Sequence, residues 1–539
     1  MDTIRPRTGF VSPGLERVAR GAAHTAQDPA TSAATRYLCV GAHVDPEFAD
    51  RVIHDVLEER HRAVCPSRGI DLVPIVRHCL AARRRRLCRD LAILAVLAAS
   101  LVVSPIPTAA LTLIAWSVWW LHRLVDDWPA RGPVRNLPRV AALAVGSALL
   151  VLGAGLALRQ APLAAHVVSV PREPLGLLLL PLGVWAAVLV EAAQTRDVLV
   201  RQLSRRAFDP GRAPATARPA IQWRLEDLAR EQYGNATVYS SFVPFVGSGV
   251  PFSTWSLVLD LQRPSRRRAA DGPATAPRIS VVDLQARVVA QLGHLAGMRL
   301  DGGDRLASLQ LERHAFVDGS SFRGGRAGPA DGPSGPHIHA GGTDIQRLTD
   351  EQAGPARQYL DVRIGSWEEE LVVTVHLQFA TIGRTLYMEA VSCLLPPINA
   401  AYHVVDAMPS RMTPAALLEL VVSTTRTFPS AFCRAPARAG RALLGPIRRW
   451  LAQETTLAAI REDLSFDYGA RTSVRELGAA PACHSYFQRL DAEKYRKLVD
   501  LHVLQAVGDH LEDEGVDTSA FTKQRMRILE RGLHVESAT

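Results

Sequence analysis

Between residues 91 and 193 lie four apolar runs, 91–103, 108–121, 140–158 and 175–193. None holds an Asp, Lys or Arg, and Glu191 is the one acid, at the end of the last run. The third and fourth are 19 residues long, close to the ~20 that cross a bilayer core as a helix. The first two hold 13 and 14 residues and are separated by Ser104-Pro105-Ile106-Pro107. Two prolines in four residues oppose a continuous helix, because ring and missing N–H both act against it. The pattern therefore predicts a helical hairpin turning at 105–107. At ~1.5 Å per residue its arms reach only about 20 Å, so it either crosses the bilayer or re-enters on one side.

Outside this segment the periodicity alternates between element types. Residues 36–44 (RYLCVGAHV) read as a strand. Asp45-Pro46-Glu47 then opens a helix, with an N-cap acid, proline at the first position and an acid in the first turn. Residues 222–232 and 282–296 have helical spacing, whereas 237–241, 255–261 and 306–317 read as strands. Residues 371–380 and 385–394 alternate across Ile382-Gly383-Arg384 and predict a β-hairpin. Segments 262–278 and 322–343 are rich in Gly, Pro and Arg and read as loops. From Thr413 the chain reads helical; Leu498, Leu501, Val507 and Leu511 mark one helix face, and Asp517 caps a last short helix.

The expected architecture is α+β, with a transmembrane helical anchor of four apolar runs, a cytoplasmic α+β domain and a helical C-terminal region. Its parts are an N-terminal cytoplasmic α+β module (1–89), the transmembrane helices (90–206), a linker (207–220), the α+β domain (221–405) and the helical region (406–539).

Charge changes the picture by its location. The net charge is +9, and residues 83–90, 122–139 and 196–212, all flanking apolar runs, account for the whole excess. Arginines concentrated beside apolar runs suit an anionic lipid surface, each worth about 1 kcal/mol there. A nucleic-acid stripe would interleave its cations with stacking aromatics, so a nucleic-acid partner is excluded. With four spans, the segments on one side hold fourteen arginines and those on the other hold two, Arg159 and Arg172. The positive-inside rule then places both termini in the cytoplasm of a multi-pass protein. Of 62 basic residues only Lys494, Lys497 and Lys523 are lysines. That skew reads as a GC-rich bacterial gene and makes the membrane the bacterial inner, or plasma, membrane. The lipid-surface arginines expected here are Arg83, Arg84, Arg85, Arg86, Arg205 and Arg206. Arg448 and Arg449 join them if residues 438–451, with arginines on one side and Leu443, Leu444, Ile447, Trp450 and Leu451 opposite, form an interfacial helix. The alternative is an ordinary helix packed on its own domain.

The apolar runs carry none of the buried acids, histidines or arginines that pumps and voltage sensors use, so they read as an anchor rather than a translocation path. Nucleotide-binding, metalloprotease and hydrolase motifs do not occur. His337-x-His339 and His54-Asp55 lack the further ligands of a metal centre. No metal, cofactor or catalytic residue is predicted, and the seven cysteines lie in segments read as cytoplasmic and reduced.

One loop stands out. Residues 239–252 (YSSFVPFVGSGVPF) join two strands, and Gly247-Ser248-Gly249 lets successive backbone N–H groups converge on an anion or a carbonyl. Phe245, Gly247, Ser248 and Gly249 are the candidate ligand or partner loop. A buried crossover whose glycines only permit the turn is the plainer alternative. The expected function is non-enzymatic: a membrane-anchored interaction or sensing protein whose partners are the lipid bilayer and a cytoplasmic protein or a second copy of itself. The alternative is a membrane-tethered enzyme or a nucleotide- or phospho-ligand-responsive domain built on that loop.

Overall fold

The computed structural model describes residues 29–126, 173–216, 218–261, 279–297, 309–321, 356–461 and 466–531. In chain order the principal elements are α1 (Ala33–Val44), α2 (Pro46–Val52, continued by a π-helical stretch Ile53–Glu58), α3 (Leu72–Val103), α4 (Pro105–Asp126), α5 (Glu173–Gln202) and α6 (Pro219–Glu231). They continue with β1 (Ala236–Tyr239), β2 (Val250–Asp260), α7 (Val281–Gly297), β3 (Gln310–Asp318), β4 (Ala356–Ser366), β5 (Leu371–Ile382) and β6 (Thr385–Leu395). Three helices follow, α8 (Pro414–Arg461), α9 (Tyr486–Asp513) and α10 (Ser519–Arg531). The fold is α+β with one mixed six-stranded sheet, ordered β1-β3-β4-β5-β6-β2. Only the β1–β3 pair is parallel.

The chain divides into two compact units. One contains residues 1–79, 208–404 and 456–539, and the other residues 80–207 and 405–455. The N-terminal segment and the last helices thus join the sheet in one unit, where the sequence reads as three separate regions.

In the sheet unit, α7, α9 and α10 cover one face. Leu284, Val288, Leu292, Val499, Val503, Val507 and Phe521 pack on Leu257, Val362, Val373, Val375 and Leu386. The buried face of α9 is set by Val499, Val503, Leu504, Val507 and Leu511; Leu501, expected on it, is exposed. The β5–β6 hairpin turns at Gly383 with φ 63°. β1 is covered along its outer edge: Ala470 N donates to the Val238 carbonyl and Ser240 N to the Ala470 carbonyl. Among the described residues no strand pairs with the outer edge of β2.

Two expectations fail here. Residues 36–44 form the helix α1 instead of a strand. Its ends are defined by the Ser32 side chain accepting from Thr35 N and by Asp45 N donating to the Gly41 carbonyl. The run is apolar because α1 is buried nearly all round, and a short apolar run does not distinguish a buried helix from a strand. The strand β4 is absent from the sequence reading altogether, because Arg357, Asp361 and Arg363 interrupt its apolar pattern. Asp361 and Arg363 nonetheless lie buried in the sheet.

In the other unit, α3 and α4 are separated by Ser104 alone; Pro105 and Pro107 lie in the first turn of α4, where a missing N–H costs nothing. The chain reverses there. Cys433 Sγ lies 3.7 Å from the Ala115 carbonyl, and Arg438, five residues further along α8, holds Asp90. A straight helix would separate residues 90 and 115 by ~37 Å, against the ~7 Å between positions 433 and 438. Ile93, Val96, Leu97, Leu111, Ala115 and Trp119 share one cluster with Leu180, Val184 and Val188 of α5.

Of the four expected spans, one helix among the described residues is long and apolar enough to cross a membrane, Leu178–Gln202, with mean hydropathy 1.6. Six of the nineteen residues of α3 before Leu91 are arginines, and the run 140–158 lies outside the described residues. α5 ends at Gln202, so Arg205 and Arg206 follow the helix rather than lie on it.

Candidate functional site

The second face of the sheet carries a polar cluster where an apolar one would be ordinary. β4 and β5 bring Asp361 opposite His376, and β3 places His314 beside them. Asp361 is buried, and its carboxylate bridges two donors: Arg68 Nη1 at 2.9 Å and His376 Nδ1 at 2.6 Å. Arg68 Nη2 donates to His314 Nδ1 at 2.5 Å, and the Thr237 hydroxyl lies 2.7 Å from His314 Nε2. Next to them Arg363 donates to Gln310 and to Glu369.

Burial alone would raise the Asp361 pKa, but the charge and hydrogen bond of His376 and the charge of Arg68 outweigh it and hold the carboxyl well below its ordinary range. Burial, reinforced by the Arg68 charge, pushes His314 well below the usual imidazole value, so His314 is neutral. Since its Nδ1 accepts from a guanidinium, its proton sits on Nε2 and is donated to Thr237. An imidazole in that tautomer cannot take the Thr237 proton, so the hydroxyl–imidazole pair does not make a nucleophile.

The depressed pKa of His314 gives a pH dependence with a definite sign. Below about pH 6.5 the unfolded chain takes up a proton on this imidazole and the folded chain does not. Its contribution to stability is complete above that pH and declines as pH falls; Asp361 adds a loss of the same sign below about pH 4. Urea midpoints measured from pH 7.5 to 5 are expected to fall, with a shallower slope in His314→Gln.

The glycine loop closes over this cluster. Phe245 stacks on the His376 ring at 4.5 Å and meets Phe316 and Tyr359 edge-on. The amides of Gly247 and Gly249 do converge on an anion, and that anion is the chain's own Glu476. Its Oε1 accepts from both, at 2.8 and 3.0 Å, while Oε2 accepts from Ser473 N. A phosphate at this loop would have to displace a half-buried carboxylate that already has three donors. The space beneath the loop, lined by Arg68, Thr237, Ser248, His314, Asp361 and Arg363, is about 20 Å³, room for one water molecule. Of the loop only Phe245 is buried, whereas Phe242 and Val243 are exposed and the glycines are half-buried around Glu476.

A second concavity is ligand-sized. A groove of about 460 Å³ is lined by Phe252, Ser253, Thr254, Trp255 and Ser256 of β2, Glu493 and Arg496 of α9, and Gln524, Arg527 and Ile528 of α10. Pockets for small ligands and peptides start near ~300 Å³. Asp500 organises its floor, accepting from Trp255 Nε1 at 2.9 Å and from Arg496 Nη1 at 2.7 Å. Among the described residues no cluster of His, Cys, Asp and Glu is arranged to hold a metal ion. His54 pairs with Glu58 and Glu59, and His337 and His339 lie outside the described residues.

Residues 254–539, just over half of the chain, match the family model of the AbeC-like domain. The chain belongs to the AbeC-like domain family. No curated protein and no solved structure matches it. The matched AbeC-like segment contains β3–β6, most of β2 and helices α7 to α10. It therefore includes Asp361, His376 and His314 and all but two of the groove residues, and it leaves out Arg68, Thr237 and the Gly247–Gly249 loop. Sequence reading found the loop from its glycines but neither the polar cluster nor the groove. Their residues lie far apart in the chain, and only the lapse in apolar pattern at β4 marked one of them.

The arginines expected at lipid are unevenly available. Arg84, Arg205, Arg206 and Arg448 are exposed, whereas Arg83, Arg85, Arg86 and Arg449 are half-buried. Arg438, expected on the lipid-facing side of its helix, is instead clamped on Asp90 through Nε and Nη2. Arg89 pairs with Asp90 and Glu191. Leu443, Leu444, Ile447, Trp450 and Leu451 are all more than half exposed.

Proposed function

We propose that this protein is a non-enzymatic, membrane-anchored interaction or sensing protein of the bacterial inner membrane, holding its AbeC-like domain on the cytoplasmic side. The observation that carries the reading is the outward apolar surface of one unit. On α5, Leu178, Leu182 and Val190 are each more than half exposed, and only 17% of that helix's most apolar window is buried. On α3 and α4, Val102 and Val118 are likewise exposed. Contiguous apolar surface of this kind marks an interface with protein or lipid. A layer of paired charge, Arg89, Asp90, Glu191 and Arg438, bounds it at one end, with the Arg83–Arg86 turn just beyond. That order, apolar surface and then arginines, is the one expected of a membrane anchor with its basic end at the cytoplasmic headgroups.

Two measurements test the proposal. After cell breakage and ultracentrifugation the protein is expected in the membrane pellet, resistant to alkaline carbonate and released by detergent. Recovery from the aqueous supernatant would overturn the anchor. Orientation is read at Cys88, which is exposed within the arginine turn. A membrane-impermeant maleimide is expected to label it only after the membrane is opened, and Cys88→Ser lowers that signal to the level of half-buried Cys483. Labelling on intact cells would reverse the topology.

A further inference from the structure

We propose that the groove beside β2 binds an acidic peptide in extended conformation, added to the sheet as a seventh strand. The inference rests on the interaction half of the reading above and is independent of the anchor. Five consecutive residues of β2, 252–256, line the groove. Phe252 is a bulged residue, but from Ser253 the register is regular and side chains alternate between faces, so a cavity bordered by 253–256 in succession runs along the strand's edge, not over one face. β2 ends the sheet, and among the described residues no strand pairs with its outer side. An edge of this kind offers main-chain donors and acceptors to an incoming strand. Five residues span ~17 Å, which matches an extended segment of four or five residues better than a compact small molecule.

The far wall supplies selectivity. Gln524, Arg527 and Ile528 occupy i, i+3 and i+4 on α10 and so present one helix face to the groove. Arg496 is buried and committed: Nη1 donates to Asp500 and Nη2 to Glu493. Arg527 is exposed, with no ion-pair partner among the described residues. α10 carries Lys523, Arg525, Arg527 and Arg531 against Glu530 alone. The open strand edge therefore faces a cationic helix, with Phe252, Trp255 and Ile528 as apolar contacts between them. An extended segment with acidic side chains on its helix-facing side complements all three features.

The test uses the detergent-purified full chain and three fluorescein-labelled octapeptides: Val-Glu repeated four times, the same peptide with Lys for Glu, and the same with Pro for Val. Anisotropy titration is expected to show saturable binding of the acidic peptide with a Kd below about 100 μM, and at least tenfold weaker binding of the other two. The lysine peptide loses the charge match, and the proline peptide loses alternate amide donors. Arg527→Glu is expected to weaken the acidic peptide about tenfold while the circular dichroism stays unchanged, because that side chain is solvent-exposed. Three results would overturn the proposal: equal affinity for all three peptides, no binding of the acidic peptide at about 1 mM, or indifference to Arg527→Glu. Displacement of the peptide by ATP at lower concentration would make the groove a small-anion site instead. An oligomer that dissociates when the peptide is added would make its occupant a second copy. None of these results bears on membrane fractionation, so failure of this proposal and failure of the anchor are separable.

Discussion

Replacing Asp361 with alanine is expected to destabilise the sheet unit by about 3–5 kcal/mol, the range for removing one partner of a buried ion pair. The carboxylate is 1% exposed and accepts from both Arg68 and His376. Without it the N–H of buried His376 loses its acceptor, and the part-buried guanidinium of Arg68 keeps only His314 Nδ1 at 2.5 Å and Glu312 at 3.3 Å. Asp361→Asn, which keeps the shape and one acceptor oxygen, is expected to cost less. Cys393 provides the readout. It is fully buried on β6, and its pKa is raised by burial and by Asp361, so it reacts with a thiol reagent only when the sheet opens. Mass spectrometry of thiol labelling is expected to show Cys393 reacting at least about a hundredfold faster in Asp361→Ala. A change under tenfold would mean that Arg68 finds water in the mutant and that the cluster contributes little.

Gly249→Ala is expected to be the second large loss, about 3 kcal/mol or more. Gly249 has φ 87°, and a Cβ there would stand 2.2 Å from the Leu394 carbonyl oxygen and 2.6 Å from its carbon. Both are main-chain atoms of β6 at the first pair of the β2–β6 ladder, so no side chain can rotate away. The strands must separate, and the amide that donates to Glu476 moves with them. Gly383→Ala is the control: φ is 63°, but nothing lies within 4 Å of the added carbon. It carries the backbone penalty alone, about 1–2 kcal/mol. Urea midpoints of the two variants separate close contact from conformational strain. Equal losses would show that the approach to Leu394 relaxes freely.

These two positions also show how far a linear reading reaches. The glycines of 247–249 were legible as an amide nest because the chemistry is local to three residues. The acceptor was not, since Glu476 lies 229 and 227 residues further along the chain from the two amides. The β5–β6 hairpin was legible because alternation and a glycine turn occur within 25 residues. β4 was illegible for the opposite reason: its buried Asp361 and Arg363 are matched by Arg68, His376 and Glu369, and a charge whose partner is remote reads as surface. In α1 the apolar run was recognised and its period misjudged, because burial on all sides removes the polar face that distinguishes a helix.

By itself the sequence determined that about a hundred residues near the front of this chain hold more apolar surface than their charges can cover, that arginines border it, and that an α+β domain follows. Each of these is a sum over local composition or a short-range period, and neither depends on which distant residues meet. The tertiary structure decided the rest: that Arg438 is spent on Asp90, that Glu476 fills the glycine nest, that an acid and an arginine, Asp361 and Arg363, lie inside the sheet, and that β2 leaves an open edge facing α10. Those outcomes depend on contacts between segments hundreds of residues apart. A side chain's role there follows from its partner, and periodicity carries no information about partners.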